Sequence, residues 1–394
     1  MGNLVKKLLI LGGGHSEIPL IKAAKALGFY TITTGYDKKG LGHPYADAYI
    51  FADFSNKELI LQIVQEHHID FLIPSCNDFA ILTAAFVNEH INVGVFDSYE
   101  ITKQIHHKTA FKTLAFELNL SVAKSKMLKQ DSDLTSIDLS FPLIVKPIDL
   151  SGGKGITKVE TLQELKEGLT YAFEESREQY VLVEEFIEGS HHSCSLLIKD
   201  RQILFSFFAN EYFYLNPYLV EGAYANPQLK ADIKNQILAD SQQLINHLHL
   251  CDGILHVQFI IKDEKPYILE ITRRSPGDLY IDLVSYATSI DYAKAIVSLH
   301  TNGSYTPTKK GQIQKCILRH CIMADQNGYI QEVTFSPQLK THIFHDILWY
   351  KKGETIEDFM KYKAGIVFAQ FENIDQLKST LPSIHKLITL RVNK

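Results

Sequence analysis

The 394-residue sequence predicts a mixed α/β and α+β fold with several domains. Three patterns predict it. Apolar β-prone runs alternate with helical patterns before residue 100, and short strands joined by charged or glycine turns follow between residues 141 and 272. A strand-rich stretch then occupies the chain after residue 311. A chain of this length corresponds to about two or three domains and can bury a large core.

The first hundred residues predict parallel βαβ units. The apolar run Lys7 to Leu11 enters a glycine turn and then an amphipathic helix from about Ile18 to Leu27. The alternation continues with strands at 30–34, 49–51 and 71–74 and helices at about 56–67 and 78–90. Because strands separated by helices pair in parallel, this segment predicts a Rossmann-like domain.

The glycine turn of this domain is weak evidence for a dinucleotide site. GGGHSE lacks the third glycine at the needed spacing, and Asp37 after the second strand adds little. Ligands of parallel sheets bind at the carboxyl ends of the strands. Polar residues at those ends are candidates to face a cleft, or else helix caps and turn residues. They are Gly13, His15, Ser16, Glu17, Ser75, Asn77 and Asp78.

The segment FPLIVKPIDLSGGKGITKV, residues 141–159, predicts two strands around a glycine loop. The buried run Phe141 to Val145 delivers Lys146, and Ile156 to Val159 returns. Backbone N–H groups of such a loop can approach a phosphate closely, although the spacing is not that of a Walker A motif. The alternative is a flexible glycine hairpin. The loop residues are Ser151, Gly152, Gly153, Lys154 and Gly155.

A third strand, Tyr180 to Val183, ends in the polar sequence Glu184-Glu185-Phe186-Ile187. Carboxylates beside backbone donors and acceptors suit an adenine edge and ribose hydroxyls, since nucleotide pockets are largely apolar with a few placed polar groups. The alternative is an exposed acidic strand end. The following pair His191-His192 does not predict a two-histidine metal site, because consecutive strand residues face opposite sides.

Residues 254–274, ILHVQFIIKDEKPYILEITRR, predict a β-hairpin that places Gln258 beside Glu270. Oxygen ligands there suit Mg2+ bound to a polyphosphate, and the arginines Arg273 and Arg274 suit a transferring phosphoryl group. The alternatives are a hairpin with a solvated acidic edge and an arginine pair that forms surface salt bridges.

These motifs, in this order, resemble the ATP-grasp superfamily of carboxylate–amine ligase type, with the architecture of amino-acid ligases and biotin carboxylase. The resemblance covers about residues 5–300. It implies ATP and Mg2+, with Mn2+ as an alternative, held between two α+β lobes with the glycine loop as a lid. The matching nucleotide-binding positions are Lys108, Lys146, Ser151, Gly152, Gly153, Lys154, Gly155, Glu184, Glu185, Phe186, Ile187 and His192.

The resemblance also assigns the catalytic and metal positions. Arg274 and Lys146 match catalytic residues, and the metal ligands match Gln258, Glu270 and Thr272. Thr272 departs from the family pattern, which usually has asparagine there. A threonine hydroxyl is a shorter and poorer ligand than an amide oxygen, so the second magnesium is expected to be weak or bound through water.

The implied organisation has four parts. They are a Rossmann-like domain at 1–100, a small ATP-grasp lobe at 101–190, a large lobe at 191–305 and a β-rich C-terminal lobe at 306–394. The aromatic-rich segment 203–229 lies between the strand end at Glu184 and the hairpin at 254–274. It predicts core packing, with some rings in a specificity pocket.

The implied reaction is ATP-dependent formation of an amide from an amino-acid-like carboxylate and an amine, through an acylphosphate. Alternatives are a carboxylase or transferase that activates bicarbonate or formate, and a nucleotide-binding module with weakened catalysis. The net charge of −5 does not predict nucleic-acid binding, and no apolar run reaches about 20 residues, so no membrane span is expected. Five cysteines without metal spacing fit a reducing cytoplasm. The resemblance also allows a homodimer.

Overall fold

The computed structural model describes residues 5–134, 137–148, 155–176, 180–302, 305 and 312–394. The chain begins with a four-stranded parallel sheet in the order β3-β2-β1-β4, as the alternating pattern predicts. Its strands are β1 (Lys7–Leu11), β2 (Tyr30–Gly35), β3 (Ala48–Phe51) and β4 (Phe71–Pro74). The helices between and after them are α1 (Ile18–Ala26), α2 (Lys57–His67) and α3 (Asp78–His90).

A small lobe follows, built on a four-stranded antiparallel sheet in the order β5-β8-β6-β7. Two helices lead into it, α4 (Tyr99–His106) and α5 (Lys108–Glu117). The lobe contains β5 (Ser125–Leu128), β6 (Leu143–Pro147), β7 (Thr157–Val159), α6 (Leu162–Glu175) and β8 (Val181–Glu185). One face of α6 packs Leu165, Leu169 and Ala172 against Val145 and Val159, which closes a separate core.

The centre of the molecule is an eight-stranded antiparallel sheet in the order β13-β12-β9-β10-β11-β14-β18-β16. Its first part comprises β9 (Ser190–Lys199), β10 (Gln202–Tyr212), β11 (Gly222–Ala225), α7 (Ala231–His247), β12 (Gly253–Lys262) and β13 (Lys265–Thr272). The helices α8 (Tyr280–Thr288) and α9 (Tyr292–Asn302) then cross one face of the sheet.

The C-terminal part contributes to the same central sheet. Its elements are β14 (Cys316–Met323), β15 (Gly328–Phe335), α10 (Pro337–Lys340), β16 (Ile343–Leu348), β17 (Thr355–Ile356), β18 (Lys363–Phe371), α11 (Ile374–Thr380), α12 (Ile384–Leu387) and β19 (Ile388–Asn393). Strands β14, β16 and β18 extend the central sheet, whereas β17, β15 and β19 form a separate three-stranded sheet. The predicted parts 191–305 and 306–394 therefore share one sheet, and the four-part division stays a prediction.

One hydrophobic core joins the N-terminal sheet to the central sheet. Leu8 and Ile10 of β1 belong to the same cluster as Phe207, Ile254 and Tyr292, with α1, α8 and α9 between the two sheets. Complete burial of a leucine or isoleucine side chain contributes about 1.5–3 kcal/mol, so this cluster holds the two sheets in a fixed relation. It brings the carboxyl ends of β1 and β4 close to the end of β13. Within the described ranges, no helix combines the length and apolarity needed to cross a bilayer.

Candidate active site

The lysine of the predicted glycine-loop strand is held by a buried carboxylate. Lys146 on β6 and Lys112 on α5 both form ion pairs with Glu184 on β8, the second at 2.8 Å. Burial alone would raise the pKa of Glu184, but the two lysines outweigh burial and lower this pKa to about 2. The carboxylate is 3% exposed. It is therefore engaged by two lysines, which the sequence did not indicate, and its nucleotide-binding role stays a prediction.

Lys108 lies at the first position of α5 and donates from Nζ to the Pro147 carbonyl at 3.2 Å. Burial and the charge of Lys146 lower the pKa of Lys108, while the carboxylates of Glu270, Asp78 and Glu184 act in the opposite sense. These charges from α3, α5, β6, β8 and β13 are thus close enough to act on one ammonium group. The structure brings both predicted nucleotide lysines to one cleft.

In the segment after Glu184, some backbone N–H groups already donate hydrogen bonds within the protein. Glu185 N–H donates to the Lys124 carbonyl at 2.9 Å, and Phe186 N–H donates to the Pro142 carbonyl at 2.9 Å. Among the described residues, no backbone hydrogen bond engages Ile187. The N–H of Glu185 is therefore not available to a base, whereas that of Ile187 meets this requirement. In the predicted phosphate loop, Ser151, Gly152, Gly153 and Lys154 lie outside the described residues.

The structure places His192 in the core, and the ribose role that the resemblance implies for it stays a prediction. It is 5% exposed, stacks on Phe259, and lies within hydrogen-bonding distance of the Ser190 hydroxyl, with 2.7 Å between Nε2 and Oγ. Its partner across β12 is Phe259, whereas the adjacent Ser193 is paired with Gln258. Because neighbouring strand residues face opposite sides, His192 lies on the face of the sheet away from Gln258 and Glu270.

The hairpin β12–β13 has the register that the sequence predicts. Gln258 and Glu270 are direct cross-strand partners, and the Gln258 side-chain amide donates to Glu211 of β10 at 2.9 Å. Burial raises the pKa of Glu211, and the charge of Glu270 raises it further. The carboxylates of Glu211 and Glu270 and the side-chain amide of Gln258 thus form a row, with one residue each from β10, β12 and β13. We call Glu211, Gln258 and Glu270 the carboxylate row.

Thr272 lies on the same face of the sheet as Glu270, two residues farther along β13. It is paired with His256, it is 6% exposed, and its hydroxyl donates to the Arg274 carbonyl at 3.4 Å. Its assignment as a metal ligand stays a prediction.

Arg274 connects the hairpin to the N-terminal domain. Its guanidinium forms a two-point ion pair with Asp78 at the start of α3, at 2.8 and 3.3 Å. The same carboxylate lies 3.0 Å from His106 Nδ1, and His106 Nε2 accepts from the Arg273 backbone N–H at 3.1 Å. His106 therefore has its proton on Nδ1 and donates it to Asp78. Asn77 caps α3, because its side chain accepts from Phe79 N–H.

Arg273 points away from the cleft and has a structural role. Its Nε donates to Asp97 at 2.6 Å, and its terminal nitrogens donate to the carbonyls of Ile254 and Cys251. Both charged side chains are 4% exposed. Such a buried and fully paired arginine anchors the segment that enters α4, so Arg274 is the arginine that faces the cleft.

A second charged cluster lies beside Arg274, around Asp278. Lys363 Nζ lies 2.5 Å from this carboxylate, His15 Nε2 lies 3.4 Å away, and Arg319 Nη1 lies 3.8 Å away. The His15 ring stacks on Trp349 at 4.4 Å. Burial acts to raise the pKa of Asp278, but Lys363, His15 and Arg319 hold this pKa well below its usual range. The N-terminal domain, the end of β13 and the C-terminal part thus meet here.

Sequence reasoning missed several residues of this site. Lys112 had one signal, because it follows Lys108 by four residues and so lies on the same helix face. Glu211 and Arg319 had another, since each is a charged residue inside a strand that is mostly apolar. Asp278 and Lys363 stand outside any motif. They are brought together only by the tertiary fold.

The residues present fit Mg2+ and a nucleotide polyphosphate. The carboxylate row contains two carboxylates whose mutual repulsion raises a pKa, and a divalent cation relieves such repulsion. Oxygen donors match the preference of Mg2+, and the lysines on the opposite lobe match phosphate oxygens.

Comparison with known proteins agrees with this geometry. Residues 119–277 match the ATP-grasp domain family. The chain is 25% identical over 288 residues to formate-dependent phosphoribosylglycinamide formyltransferase of Prochlorococcus marinus (strain NATL1A). The aligned region covers 71% of this chain and 73% of that protein.

Two solved structures resemble the whole chain. Phosphoribosylglycinamide synthetase from Anaerococcus prevotii superposes with a TM-score of 0.79 at 24% identity, covering 99% of this chain and 100% of the other. L-amino acid ligase from Bacillus licheniformis gives 0.82 at 15% identity, covering 99% of each. Structures of other ATP-grasp enzymes in this group contain ADP or MgADP. The predicted fold class is therefore confirmed: residues 119–277 match an ATP-grasp domain, and the whole chain has the fold of phosphoribosylglycinamide synthetase and L-amino acid ligase.

Proposed function

We propose that this chain uses ATP to activate a small-molecule carboxylate and then joins the acyl group to an amine. The observation that supports this most directly is the carboxylate row opposite Lys108 and Lys146, with Arg274 at its end. Such a site binds a polyphosphate from two sides and offers an arginine to the transferred group. A cytoplasmic location and a homodimer stay predictions.

In the proposed reaction, a carboxylate oxygen of the substrate forms a bond to the γ-phosphorus of ATP while the bond from that phosphorus to the β,γ-bridging oxygen breaks. ADP leaves and an acylphosphate remains. The amine nitrogen then forms a bond to the acyl carbon, phosphate leaves, and the amine loses a proton. No side-chain nucleophile takes part in either step.

Each residue has a distinct part in this scheme. Lys108 and Lys146 neutralise phosphate oxygens, and Arg274 holds the transferred phosphoryl group. Glu184 and Lys112 position Lys146 and do not contact substrate. Mg2+, held by Glu270 with Gln258 and Glu211, would supply charge neutralisation of the phosphates when bound.

The cluster at Asp278 supports an acid with a charged or hydrogen-bonding head group. Lys363, Arg319 and His15 surround the cleft end beside Arg274, and Trp349 adds an aromatic face. The overall likeness to an L-amino acid ligase supports an amino-acid-like substrate. Formate is the second candidate, because the sequence relatives with 25% identity are formate-dependent formyltransferases.

The test is release of ADP and phosphate from MgATP in the presence of amino acids, formate or bicarbonate, each with and without an amine. We expect amino-acid-dependent release of ADP and phosphate. Activity with formate or bicarbonate alone would move the proposal to the second candidate. ATP binding without turnover would indicate a nucleotide-binding module, and AMP with pyrophosphate would contradict the acylphosphate route.

Variants connect this activity to the site. Glu270→Ala and Lys146→Ala should each lower kcat by about 100-fold or more, because each removes charge stabilisation of the transferring group. Glu264→Ala, in the exposed turn of the same hairpin, is the matched control and should leave kcat unchanged. Equal activity of Glu270→Ala and Glu264→Ala would overturn the assignment of the carboxylate row.

A further inference from the structure

Three metal-ligating side chains that the proposed reaction does not use meet where the C-terminal segment packs on the central sheet. Glu221 stands directly before β11, His320 lies on β14, and His385 lies on α12. Their donor atoms all lie within 4.8 Å of one another. Across the described ranges, no other group of three histidine, cysteine, aspartate or glutamate side chains has its donor atoms so close.

The carboxylate of this group has no conventional partner. Glu221 is 1% exposed, and neither of its oxygens accepts a hydrogen bond of ordinary geometry from the described residues. Burial raises the pKa of Glu221 to about 7, although the Leu215 backbone, Lys363 and Arg319 act to lower it. A buried carboxylate that accepts no side-chain hydrogen bond from the described residues is costly to leave charged, so either a proton or a cation is expected to neutralise it.

Both imidazoles are oriented by aromatic neighbours. The Tyr212 hydroxyl lies 2.9 Å from Nδ1 of His320, and a proton on that nitrogen leaves the Nε2 lone pair directed at Glu221. The His385 ring stacks on Tyr214 with centroids 3.4 Å apart and presents Nδ1 to the same carboxylate. An outer partner that fixes the tautomer of a ligand histidine is typical of metal sites.

The distances suit a small tetrahedral ion. His385 Nδ1 lies 3.3 Å and His320 Nε2 lies 3.8 Å from Glu221 Oε1. Zinc bonds of about 2.0–2.2 Å in tetrahedral geometry separate neighbouring donors by roughly 3.3–3.6 Å. We propose that Glu221, His320 and His385 bind one Zn2+ or a similar divalent transition-metal ion, which ties α12 to the central sheet.

The donor set selects against the magnesium of the nucleotide site. Two imidazoles and one carboxylate match zinc, whereas Mg2+ prefers oxygen ligands. Nε2 of His320 and Nδ1 of His385 are the ring nitrogens nearest the carboxylate, so each is placed to donate a lone pair to a shared ion. The His385 side chain is 23% exposed, which leaves a path from solvent and a fourth position for water.

The test uses full-length protein without an affinity tag. The protein is stripped with a chelator, and its zinc stoichiometry is measured by mass spectrometry after exposure to Zn2+ and gel filtration. Affinity is measured by titration against a competing chelator. We expect one zinc per chain, no competition from excess Mg2+, a higher thermal unfolding midpoint with Zn2+, and a tetrahedral absorption spectrum with Co2+.

Variants separate this site from adventitious binding. His385→Gln should lower zinc affinity by more than about 100-fold, since even an outer-shell partner such as Tyr212, tested as Tyr212→Phe, is worth about 10- to 100-fold. His385 is partly exposed, so its replacement should permit folding. His247→Gln, at the exposed end of α7, is the control and should leave affinity unchanged.

Two results would overturn the proposal. One is the absence of stoichiometric zinc in wild-type protein together with an unchanged or higher stability of Glu221→Gln, which would mean that a proton neutralises the carboxyl. The other is equal loss of zinc in His385→Gln and His247→Gln, which would mean that surface histidines bind it.

Discussion

At the scale of single residues, Glu184 shows why burial and pairing must be read together. A carboxylate that is 3% exposed has lost its hydration, and within the described part of the chain two lysines compensate for that loss. The pairing of Lys146 with Glu184 also limits the rotamers of this lysine in the cleft. In the proposed function, Glu184 therefore acts on nucleotide binding through the position of Lys146.

Glu184→Gln should lower the free energy of unfolding by about 3–5 kcal/mol, because it leaves two buried lysines without a counter-charge. Urea unfolding measures this change. Glu185→Gln is the matched control, since its half-buried side chain accepts a hydrogen bond from Ser140 N–H and forms no ion pair with a described residue. Equal stability of the two variants would contradict the role of Glu184.

The same pair should give wild-type stability a pH dependence. The pKa of Glu184 falls from an ordinary value of 4.5 to about 2 in the folded chain, so its contribution is complete above about pH 4.5. As the pH falls from 4.5 towards 2, the unfolded state takes up the proton first and this contribution is lost. The stability difference between wild type and Glu184→Gln should therefore shrink over that interval.

At the scale of elements, the return of the chain from β6 into β7 depends on Gly155, the glycine that ends the predicted phosphate loop. Gly155 has φ +71°, and a Cβ there would lie 2.5 Å from Pro147 Cγ. Pro147 is also the residue whose carbonyl accepts from Lys108. A side chain at residue 155 would therefore disturb both the return of the chain into β7 and the position of a nucleotide lysine.

Gly155→Ala should destabilise the chain by more than Gly353→Ala and should raise the KM for ATP. Both glycines have positive φ, which costs about 1–2 kcal/mol for other residues, but Gly353 has no atom within 4 Å of its would-be Cβ. Only Gly155→Ala carries the additional clash with Pro147. Steady-state kinetics and urea unfolding of both variants measure the difference, and an unchanged KM in Gly155→Ala would refute the link to Lys108.

At the scale of the whole molecule, two ion clusters connect parts of the chain that are distant in sequence. Asp78 connects α3 to Arg274, and Asp278 connects His15 of the N-terminal domain to Arg319 and Lys363 of the C-terminal part. Both clusters lie at the cleft. This end of the cleft is therefore held together by contacts among three regions of the chain and not by one lobe alone.

Asp278→Asn should lower the free energy of unfolding by about 3–5 kcal/mol and raise the KM for the acid substrate, because Arg319 and Lys363 then repel each other without a counter-charge. Asparagine tolerates the φ of +53° at this position, so the change tests charge rather than backbone strain. Asp346→Asn, an exposed aspartate on β16, is the control. Unchanged stability and KM in Asp278→Asn would contradict the role of this cluster.

Local patterns predicted a large part of this structure. Alternation of apolar residues and turn signals located the four N-terminal strands and the hairpin, whereas a bulge between Gln258 and Phe259 shifts the register of the turn by one residue and pairs Gln258 with Glu270. The same patterns did not specify that His192 faces away from Gln258, because a position in a motif does not determine which face of a sheet a side chain occupies. They also did not indicate that the partners of Glu184 are lysines.

The sequence by itself determined the order of the elements and indicated the resemblance to ATP-grasp enzymes, because these depend on spacing along the chain. Only the tertiary structure decided that Glu211 joins the carboxylate row, that Asp278 meets Lys363, and that Glu221 faces two histidines. The physical reason is that burial and Coulomb forces act over a few ångströms in space. Residues far apart in sequence come within that range only when the sheet and its helices have packed.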